Sequence, residues 1–355
     1  MTKLLYKEVD TKRVSKEKMK KSRILLLGIC ILVSLSACAK KAEAAGETAQ
    51  KEQPMAAGSA QYYPLTLKSG NAEIVIEKMP EKAVVFGYEN AEFMAALGLA
   101  DKIAYFYGGH QTIDAVLPQY RDQLKDIKNL ENDASTAPSL EHLLNYEPDV
   151  IILPSYMFFL EGFGTKEDYA QHNIPLYVLE GTYAPHCTIE NTYNDIINVG
   201  KIFHKEAEAV QLVEQMKTRI AAVAEKMKDK KEVNVLAFDC ELNGKLVTWG
   251  STGLAHNLLT LAKGKNIFAD IEKQFPHVSW EELVNSNPDL IIIDAYENDN
   301  GGQAKVNMLK SNPLTAELDA VKNDRFLIIP LFTIFPGLQN VDTVEKIAGA
   351  ILKIQ

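Results

Sequence analysis

The chain has 355 residues, of which 46% are hydrophobic and 24% are charged, and its formal net charge is -9 at pH 7. This length allows a sizeable core and suits two domains better than one. Because phosphate contacts need Lys and Arg clustered on one face, the acidic balance predicts no binding of nucleic acid.

The N-terminal segment has the layout of a secretory signal. A basic cluster at residues 16–23 precedes the apolar run Ile24–Leu35. This run is too short for a membrane-spanning helix but suits the h-region of a signal peptide. We therefore predict a signal peptide over residues 1–37.

The apolar run ends in Leu35-Ser36-Ala37-Cys38, which resembles the lipobox of bacterial lipoproteins. In such proteins the cysteine is acylated and becomes the new N-terminus, so that acyl chains anchor the protein to a membrane that it does not span. The alternative is an ordinary cleavage site with an incidental cysteine. The small and charged residues that follow favour a lipidated Cys38 and a flexible tether over 38–60. We expect an extracytoplasmic protein, at the outer face of the cell membrane or in the periplasm.

The predicted mature chain contains two further cysteines, Cys187 and Cys240, one in each half. They form neither a disulfide framework nor a zinc-binding spacing. Two free thiols are expected.

Residues 61–190 alternate short apolar runs with amphipathic stretches. The predicted elements are strand Ala83–Phe86, a helix near Ala91–Leu97, strand Ile103–Tyr107, a helix at Leu140–Tyr146 and strand Val150–Leu153. This alternation predicts a parallel sheet covered on both faces, and so an N-terminal α/β lobe.

Residues 191–229 predict a helix that links two lobes. Apolar residues keep helical spacing from Ile196 to Met227, with Gly200 as the single interior glycine. A helix from about Thr192 to Lys228 would be on the order of 50 Å long. Strict heptads are not sustained, which argues against a coiled coil.

Residues 230–355 repeat the alternation and predict a C-terminal α/β lobe. Its predicted elements are strand Val233–Phe238, helices Leu254–Ala262 and Trp280–Asn285, strands Leu290–Asp294 and Phe326–Pro330, and a final helix around Val341–Leu352. One unit occurs in both lobes: Ser139–Ile152 aligns with Ser279–Ile292 at a constant offset of 140. Each copy reads as a capped helix, a Pro-Asp turn and a buried strand.

Two α/β lobes with parallel sheets, joined by one long backbone helix behind a lipoprotein signal, resemble the helical-backbone (class III) substrate-binding proteins of ABC importers for ferric siderophores, haem and cobalamin. The residues that carry the resemblance are Pro80–Val85, Tyr146–Asp149, Ile174–Pro175, Ile197–Gly200, Asn287–Asp289 and Ala320–Asn323. The resemblance implies a monomer that captures a metal chelate as its small-molecule ligand and delivers it to a permease dimer with its ATPase. It implies no resident cofactor and no enzymatic activity.

The resemblance also implies that one glutamate on each lobe meets arginines of the permease, and the matching residues are Glu141 and Glu281. Equivalent acidic residues on two similar lobes suit a two-fold symmetric partner. The alternative is that each glutamate belongs to a capping box with Ser139 or Ser279, although the spacing is one residue short.

Ligands of open α/β sheets bind beyond the carboxyl ends of the strands, so the loops that follow the strands should line the cleft. These loops are rich in aromatic residues, which suit a flat or bulky organic ligand. Packing beneath a loop is the alternative for residues such as Phe332. The predicted ligand-binding residues are Tyr88, Glu89, Tyr107, His110, Tyr156, Tyr183, Asp239, Trp249, Tyr296 and Phe332.

Arginine is scarce in the predicted cleft. Arg121, Arg219 and Arg325 all lie outside the predicted cleft loops, and Gln339 stands where relatives often carry arginine in the pattern Pro-Gly-x-Arg-Asn. Since arginine is the natural clamp for carboxylates and catecholates, this disfavours a strongly anionic siderophore. A neutral or cationic chelate, haem or a cobamide is favoured instead.

Two alternatives stay open, and a third is disfavoured. A direct zinc or manganese importer protein would use His110 and His186 as candidate ligands, although no tight histidine cluster supports it. An anchored sensor or adhesin would keep the fold and lose the transporter. An enzyme is disfavoured because the motifs of hydrolases, P-loop enzymes, zinc proteases and dinucleotide-binding proteins are missing.

Overall fold

The computed structural model describes residues 62–109, 111–128, 137–296 and 300–355. The predicted signal peptide, Cys38, the tether and His110 lie outside these residues. The chain from Tyr62 to Gln355 belongs to one structural unit. In the described ranges, no helix is long and apolar enough to cross a membrane.

The N-terminal lobe (N-lobe) begins with an antiparallel hairpin of β1 (Leu65–Ser69) and β2 (Ala72–Ile76). A four-stranded parallel sheet follows, with the order β4-β3-β5-β6. Its strands are β3 (Ala83–Phe86), β4 (Ile103–Tyr107), β5 (Val150–Leu153) and β6 (Leu176–Val178). Every residue of β3 and β5 is buried, because helices and loops cover both faces of the sheet.

Four helices surround this sheet. They are α1 (Tyr88–Ala96), α2 (Pro118–Leu124), α3 (Leu140–Leu144) and α4 (Lys166–Gln171). Short 3₁₀ turns at Ile113–Ala115 and Ser155–Phe159 follow β4 and β5. The three predicted strands of this lobe agree with the structure residue for residue.

The link between the lobes differs from the prediction, because the single long helix is two helices. These are α5 (Ile189–Ile202) and α6 (Glu206–Met227), separated by three residues in which His204 has a φ of 55°. Apolar spacing continues across the break because α5 and α6 pack against each other. A Cβ built on Gly200 would lie 2.5 Å from the Cβ of Ala209, so glycine permits this close approach. With 22 residues, α6 is about 33 Å long.

The first described residues close the end of α5. The Tyr62 hydroxyl donates to the carbonyl of Lys201 at 2.9 Å, and the Tyr63 hydroxyl donates to that of Ile202 at 2.8 Å. The Tyr62 ring also stacks on His204, with 3.9 Å between ring centroids. These contacts satisfy carbonyls that the helix end leaves without intrahelical partners.

The C-terminal lobe (C-lobe) has a second parallel sheet, with the order β10-β7-β12-β13, and a small antiparallel sheet, with the order β11-β9-β8. The strands are β7 (Val233–Phe238), β8 (Cys240–Leu242), β9 (Lys245–Val247), β10 (Gly264–Asn266), β11 (His277–Val278), β12 (Leu290–Ala295) and β13 (Phe326–Pro330). The helices are α7 (Leu254–Leu261), α8 (Trp280–Ser286), α9 (Gln303–Ser311), α10 (Asp319–Lys322) and α11 (Asn340–Leu352). The predicted α/β class is confirmed in both lobes, while the small antiparallel sheet was not predicted.

The lobes share one apolar core and several polar contacts. Buried side chains of both lobes, including Phe93 and Val344, belong to a single cluster. Between the lobes, the Cys187 amide donates to the Thr252 carbonyl at 2.9 Å. On α6, Arg219 donates two hydrogen bonds to the carboxylate of Glu345 on α11, at 2.9 and 2.7 Å. The two lobes are therefore tied together along the linking helices.

Candidate functional site

A cavity of about 330 Å³ lies between the lobes. The N-lobe contributes residues 112–121, from the 3₁₀ turn after β4 to α2, and the C-lobe contributes residues from the end of β13 to the start of α11. Its polar lining residues are Thr112, Asp114, Arg121 and Gln339, and its apolar lining includes Leu117 and Phe332. Both lobes thus build one concave site, at the small end of the range for ligand pockets.

The N-lobe wall is held in shape by Arg121. Its guanidinium donates through Nε to the Val116 carbonyl and through Nη2 to the Asp114 carbonyl, both at 2.8 Å. Its Nη1 lies 3.6 Å from Oδ1 of Asp114, and 39% of the side chain stays exposed. Arg121 was predicted to lie outside the cleft, and this was wrong, since it lines the cavity from α2, a helix that was not predicted.

Gln339 connects the C-lobe wall to the N-lobe. Its Nε2 donates to Oε1 of Glu92 and to the Ala115 carbonyl, at 2.8 Å in each case. The Leu117 amide donates to the same Oε1 at 2.6 Å. Burial raises the pKa of Glu92 to about 7, and these two hydrogen bonds oppose the shift. Glu92 therefore bonds to both walls, although it does not itself line the cavity.

Three predicted residues of the N-lobe, Glu89, Tyr107 and Tyr156, lie near one another beside this junction. Glu89 is buried and its pKa is raised to about 7 by that burial, with a further contribution from the charge of Glu92. Burial and the neighbouring Glu89 and Tyr107 raise the pKa of Tyr156 well above its ordinary value. The Tyr156 ring faces Phe335 of the C-lobe, with centroids 5.8 Å apart.

Tyr88 and Tyr107 take part mainly in packing. They are 6% and 4% exposed. The Tyr88 ring lies edge-on to Phe106 at 4.7 Å, and the Tyr107 ring lies 5.6 Å from that of Phe86. Both belong to the core beneath the loops, so their contribution to an open wall is small.

Two predicted aromatic residues lie elsewhere. Trp249 is fully buried and donates from Nε1 to Oδ2 of Asp294 at 2.7 Å, so it is a core residue and the cleft prediction for it was wrong. Tyr183 lies near Gly70, at the turn between β1 and β2. The position of a residue after a strand end therefore does not predict whether its side chain points into the cleft or into the core.

Asp239 and Tyr296 are engaged with each other in the C-lobe. The Tyr296 hydroxyl donates to Oδ1 of Asp239, and Nζ of Lys305 lies 4.0 Å from the centre of the Tyr296 ring. Lys305 also donates to the Asp294 carbonyl. Burial raises the pKa of Asp239 to about 6, against the opposing hydrogen bond from Tyr296. This buried cluster ties α9 to the strand ends β7 and β12.

The described ranges contain no assembled set of ligands for the zinc or manganese site of the direct-metal alternative. No group of three or more His, Cys, Asp or Glu side chains there is arranged to hold a metal ion. His186 is exposed; burial, with a further contribution from His186, lowers the pKa of His256. The other candidate, His110, lies outside the described residues.

The repeated units on the two lobes agree in atomic detail. Ser139 Oγ accepts from the His142 amide at 3.2 Å, and Ser279 Oγ accepts from the Glu282 amide at 3.1 Å. Residues 141–150 and 281–290 follow the same sequence of buried, half-buried and exposed positions at all but one residue. The predicted repeat is therefore a structural repeat.

Each repeat also contains a matching aspartate and a matching left-handed turn. Asp149 accepts from the Lys82 amide at 3.0 Å, and Asp289 accepts from the Asn234 amide at 3.0 Å. The residues two positions before them, Glu147 and Asn287, have φ values of 48° and 36°. The same hydrogen bonds thus hold each helix against its sheet.

Glu141 and Glu281 are exposed at equivalent positions in the first turns of α3 and α8. Neither takes part in capping: the reciprocal partner of Ser279 is Glu282, whose carboxylate accepts from the Ser279 amide at 2.7 Å. In the N-lobe, the third position of the helix is His142. The capping explanation for both glutamates is therefore wrong, and their carboxylates lie on matching surfaces.

Sequence reasoning missed three residues of the cavity region. Arg121 and Glu92 were not predicted as site residues, and Gln339 was noted only as a replacement for arginine. A signal for Glu92 was present, since it follows Glu89 by one helical turn between apolar residues that α1 buries. Two acidic residues on the buried side of a helix indicate a polar junction.

Comparisons with known proteins agree on one family. A family model described as periplasmic binding protein matches residues 84–331. The petrobactin-binding protein YclQ of Bacillus subtilis is 26% identical over 343 residues, covering 92% of this chain and 98% of its own. The ABC transporter substrate-binding lipoprotein YvrC of the same species is 24% identical over 310 residues, covering 86% and 91%.

Solved structures show the same fold. The crystal structure of a periplasmic binding protein from Veillonella parvula superposes with a TM-score of 0.72 at 24% identity. The superposition covers 81% of this chain and 96% of that one.

Proposed function

Because the chain belongs to the periplasmic binding protein family, we propose that it is the substrate-binding lipoprotein of an ABC importer and captures a metal chelate between its lobes. The observation that carries this proposal is the cavity of about 330 Å³, whose walls come from both lobes and are joined through Gln339. Such a site favours a ligand that contacts two lobes at once.

The chelate that the lining favours is a ferric siderophore. Arg121 lines the cavity with a partly exposed side chain, whose positive charge suits carboxylate or catecholate oxygens, and Phe332 offers an aromatic surface. Asp114 lies beside Arg121 and limits the positive charge of the wall. The petrobactin-binding relative supports the same class. This revises the sequence-based preference for a neutral or cationic chelate.

Delivery would use the matched surfaces around Glu141 and Glu281. Two equivalent exposed carboxylates, one on each lobe, complement a permease dimer that presents one cationic patch on each subunit. ATP hydrolysis by the partner ATPase would then drive release. The binding protein itself needs no catalytic residue for this role.

Anchoring would use the acylated Cys38, followed by the tether. The lipobox-like sequence and the lipoprotein relative support this location. Mass spectrometry of the mature N-terminus is the direct check, and a mature chain without acyl groups would contradict the anchor.

The binding test is native mass spectrometry of the domain from Gln61 onward, mixed in turn with ferric petrobactin, a ferric hydroxamate, haem, cobalamin, zinc and manganese. We expect a one-to-one complex with ferric petrobactin. Retention of a bare metal alone would support the direct-metal alternative, and binding of none of the six probes would favour an anchored sensor or adhesin.

A variant of Arg121 shows whether the ligand in this test binds in the cavity. Arg121→Gln is expected to weaken ferric petrobactin binding by about tenfold to a hundredfold, because a charge-assisted hydrogen bond is lost. Arg325→Gln, which changes a half-buried arginine outside the cavity lining, is the matched control. Equal affinity of the Arg121 and Arg325 variants would place the ligand elsewhere.

A further inference from the structure

Glu92 lies behind the cavity and contacts both of its walls. The residue is 1% exposed and is not part of the lining. Its Oε1 accepts hydrogen bonds from the Leu117 amide of the N-lobe and from Nε2 of Gln339 of the C-lobe. Leu117 and Gln339 both line the cavity. A single oxygen atom therefore joins the two walls, beside the direct hydrogen bond from Gln339 to the Ala115 carbonyl.

The second carboxylate oxygen shows that this arrangement costs stability. Oε2 of Glu92 is buried without a hydrogen-bond partner in the described structure. A buried polar atom without a partner is unfavourable, and an apolar side chain at this place would avoid the cost. What the carboxyl group of Glu92 provides, and an apolar side chain would not, is the pair of hydrogen bonds that Oε1 accepts from the two walls.

We propose that Glu92 is a positioning residue that sets the affinity of the inter-lobe cavity by holding its N-lobe and C-lobe walls at one fixed spacing. This inference rests on the proposed binding function. Preorganised walls reduce the ordering that binding would otherwise require, so affinity depends on the junction even though Glu92 does not touch the ligand.

The charges around Glu92 give the junction a pH dependence. Burial is the main cause that raises its pKa to about 7, and it faces Glu89 on its own helix, Tyr120 and Arg121 of α2 and Asp342 of α11. Of these groups, only Arg121 favours the ionised form. When the walls separate, water reaches the carboxyl group and its pKa falls towards the ordinary value. Closing the junction therefore takes up a proton, and lower pH favours the closed state.

The first experiment needs no ligand. NMR hydrogen exchange of the Leu117 amide in the unliganded domain is expected to be at least about tenfold faster in Glu92→Ala than in wild type. Glu92→Gln, which keeps an acceptor oxygen, should retain the protection. Glu167→Ala, an exposed glutamate on α4, is the control. Unchanged exchange in Glu92→Ala overturns the proposal.

The second experiment measures the Kd for ferric petrobactin by fluorescence quenching at pH 6, 7 and 8. We expect Glu92→Ala to bind at least about tenfold more weakly than wild type, and Glu92→Gln to bind within about threefold at pH 7. The ratio of the Glu92→Gln Kd to the wild-type Kd should change by up to about tenfold between pH 6 and 8, with wild type relatively tighter at pH 6. The titration of the probe itself cancels in this ratio.

A second variant guards against misfolding of Glu92→Ala. Gln339→Met removes the donor from the C-lobe side only, so binding should weaken while Leu117 stays protected. If Glu92→Gln and Glu92→Ala lose affinity equally, or if the pH ratio is constant, the positioning role is overturned. If wild type does not bind ferric petrobactin but the exchange results are as expected, the proposed substrate class is wrong, while the role of Glu92 in joining the two walls is supported.

Discussion

One unit of the two lobes is repeated almost unchanged, whereas the walls that the lobes contribute to the cavity differ. Ser139–Ile152 and Ser279–Ile292 share an N-cap serine and a left-handed turn, and residues 141–150 and 281–290 have the same burial at all but one position. In the cavity, the N-lobe contributes Arg121, while the C-lobe contributes Phe332 and Gln339. Equal surfaces suit a two-fold symmetric partner, and unequal walls suit one asymmetric ligand. The repeated units are thus suited to bind a transporter, and the cavity walls are suited to bind a ligand.

The largest expected effect comes from removing the shared outer charges. Glu141→Ala and Glu281→Ala should each lower uptake by roughly tenfold and together by roughly a hundredfold, because the two contacts lie on separate lobes and act independently. Uptake into proteoliposomes that contain the permease and ATPase is the measurement, and ligand affinity should not change.

Glu167→Ala combined with Glu232→Ala removes the same charge from other exposed positions of the two lobes and serves as the control. Equal uptake by the two double variants would show that the matched surfaces around Glu141 and Glu281 bind no partner. A loss from only one of the two docking glutamates would show that the partner is not symmetric.

Buried carboxyl groups give the stability of the fold a pH dependence that exposed ones such as Glu141 and Glu281 do not. Burial raises the pKa values of Glu89, Glu92 and Asp195 to about 7 each. A carboxyl group with a raised pKa stabilises the fold below its unfolded value, and this contribution is lost as pH rises through the folded value. The free energy of unfolding should therefore fall between pH 5 and pH 8.

Glu89→Gln tests this directly. It should remove about 2 kcal/mol of the stability change between pH 5 and pH 8, measured by urea unfolding at both pH values. His256, whose pKa is lowered by burial, acts in the opposite direction, but its effect cancels between wild type and variant. An identical pH profile for the two proteins would mean that Glu89 is exposed to water.

The smallest effect is expected at the joint that connects the lobes. Gly200→Ala should cost about 1 to 2 kcal/mol in urea unfolding, because the added methyl group meets Ala209 between α5 and α6. Gly349→Ala in α11, where a Cβ meets nothing within 4 Å, is the control and should be neutral or slightly stabilising. Similar results for both variants would place α5 and α6 farther apart.

Much of the fold was predictable, because buried parallel strands are continuous apolar runs. Strands such as Ala83–Phe86 and Phe326–Pro330 have the predicted bounds, and the repeat was visible as a constant offset. The break at His204 was not predictable from periodicity, since both helices present apolar residues to the same core. An apolar pattern indicates which residues are buried, but it does not indicate whether the helix axis changes direction.

The candidate site was predictable only in part. Of the residues selected by the rule for strand ends, Phe332 lines the cavity. The rule failed for Trp249, whose partner Asp294 is far away in sequence. It also passed over Arg121, because α2 lies between strands and carries no strand-end signal. Which polar groups pair with one another depends on tertiary distances that spacing alone does not give.

The most direct test of the account is the hydrogen–deuterium exchange of the whole domain with and without ferric petrobactin. If the ligand is held between unequal walls, protection should rise in residues 111–121 and in residues 330–340 together, and the outer repeats should not change. Protection in one lobe only, or at the repeats around Glu141 and Glu281, would contradict binding between the lobes.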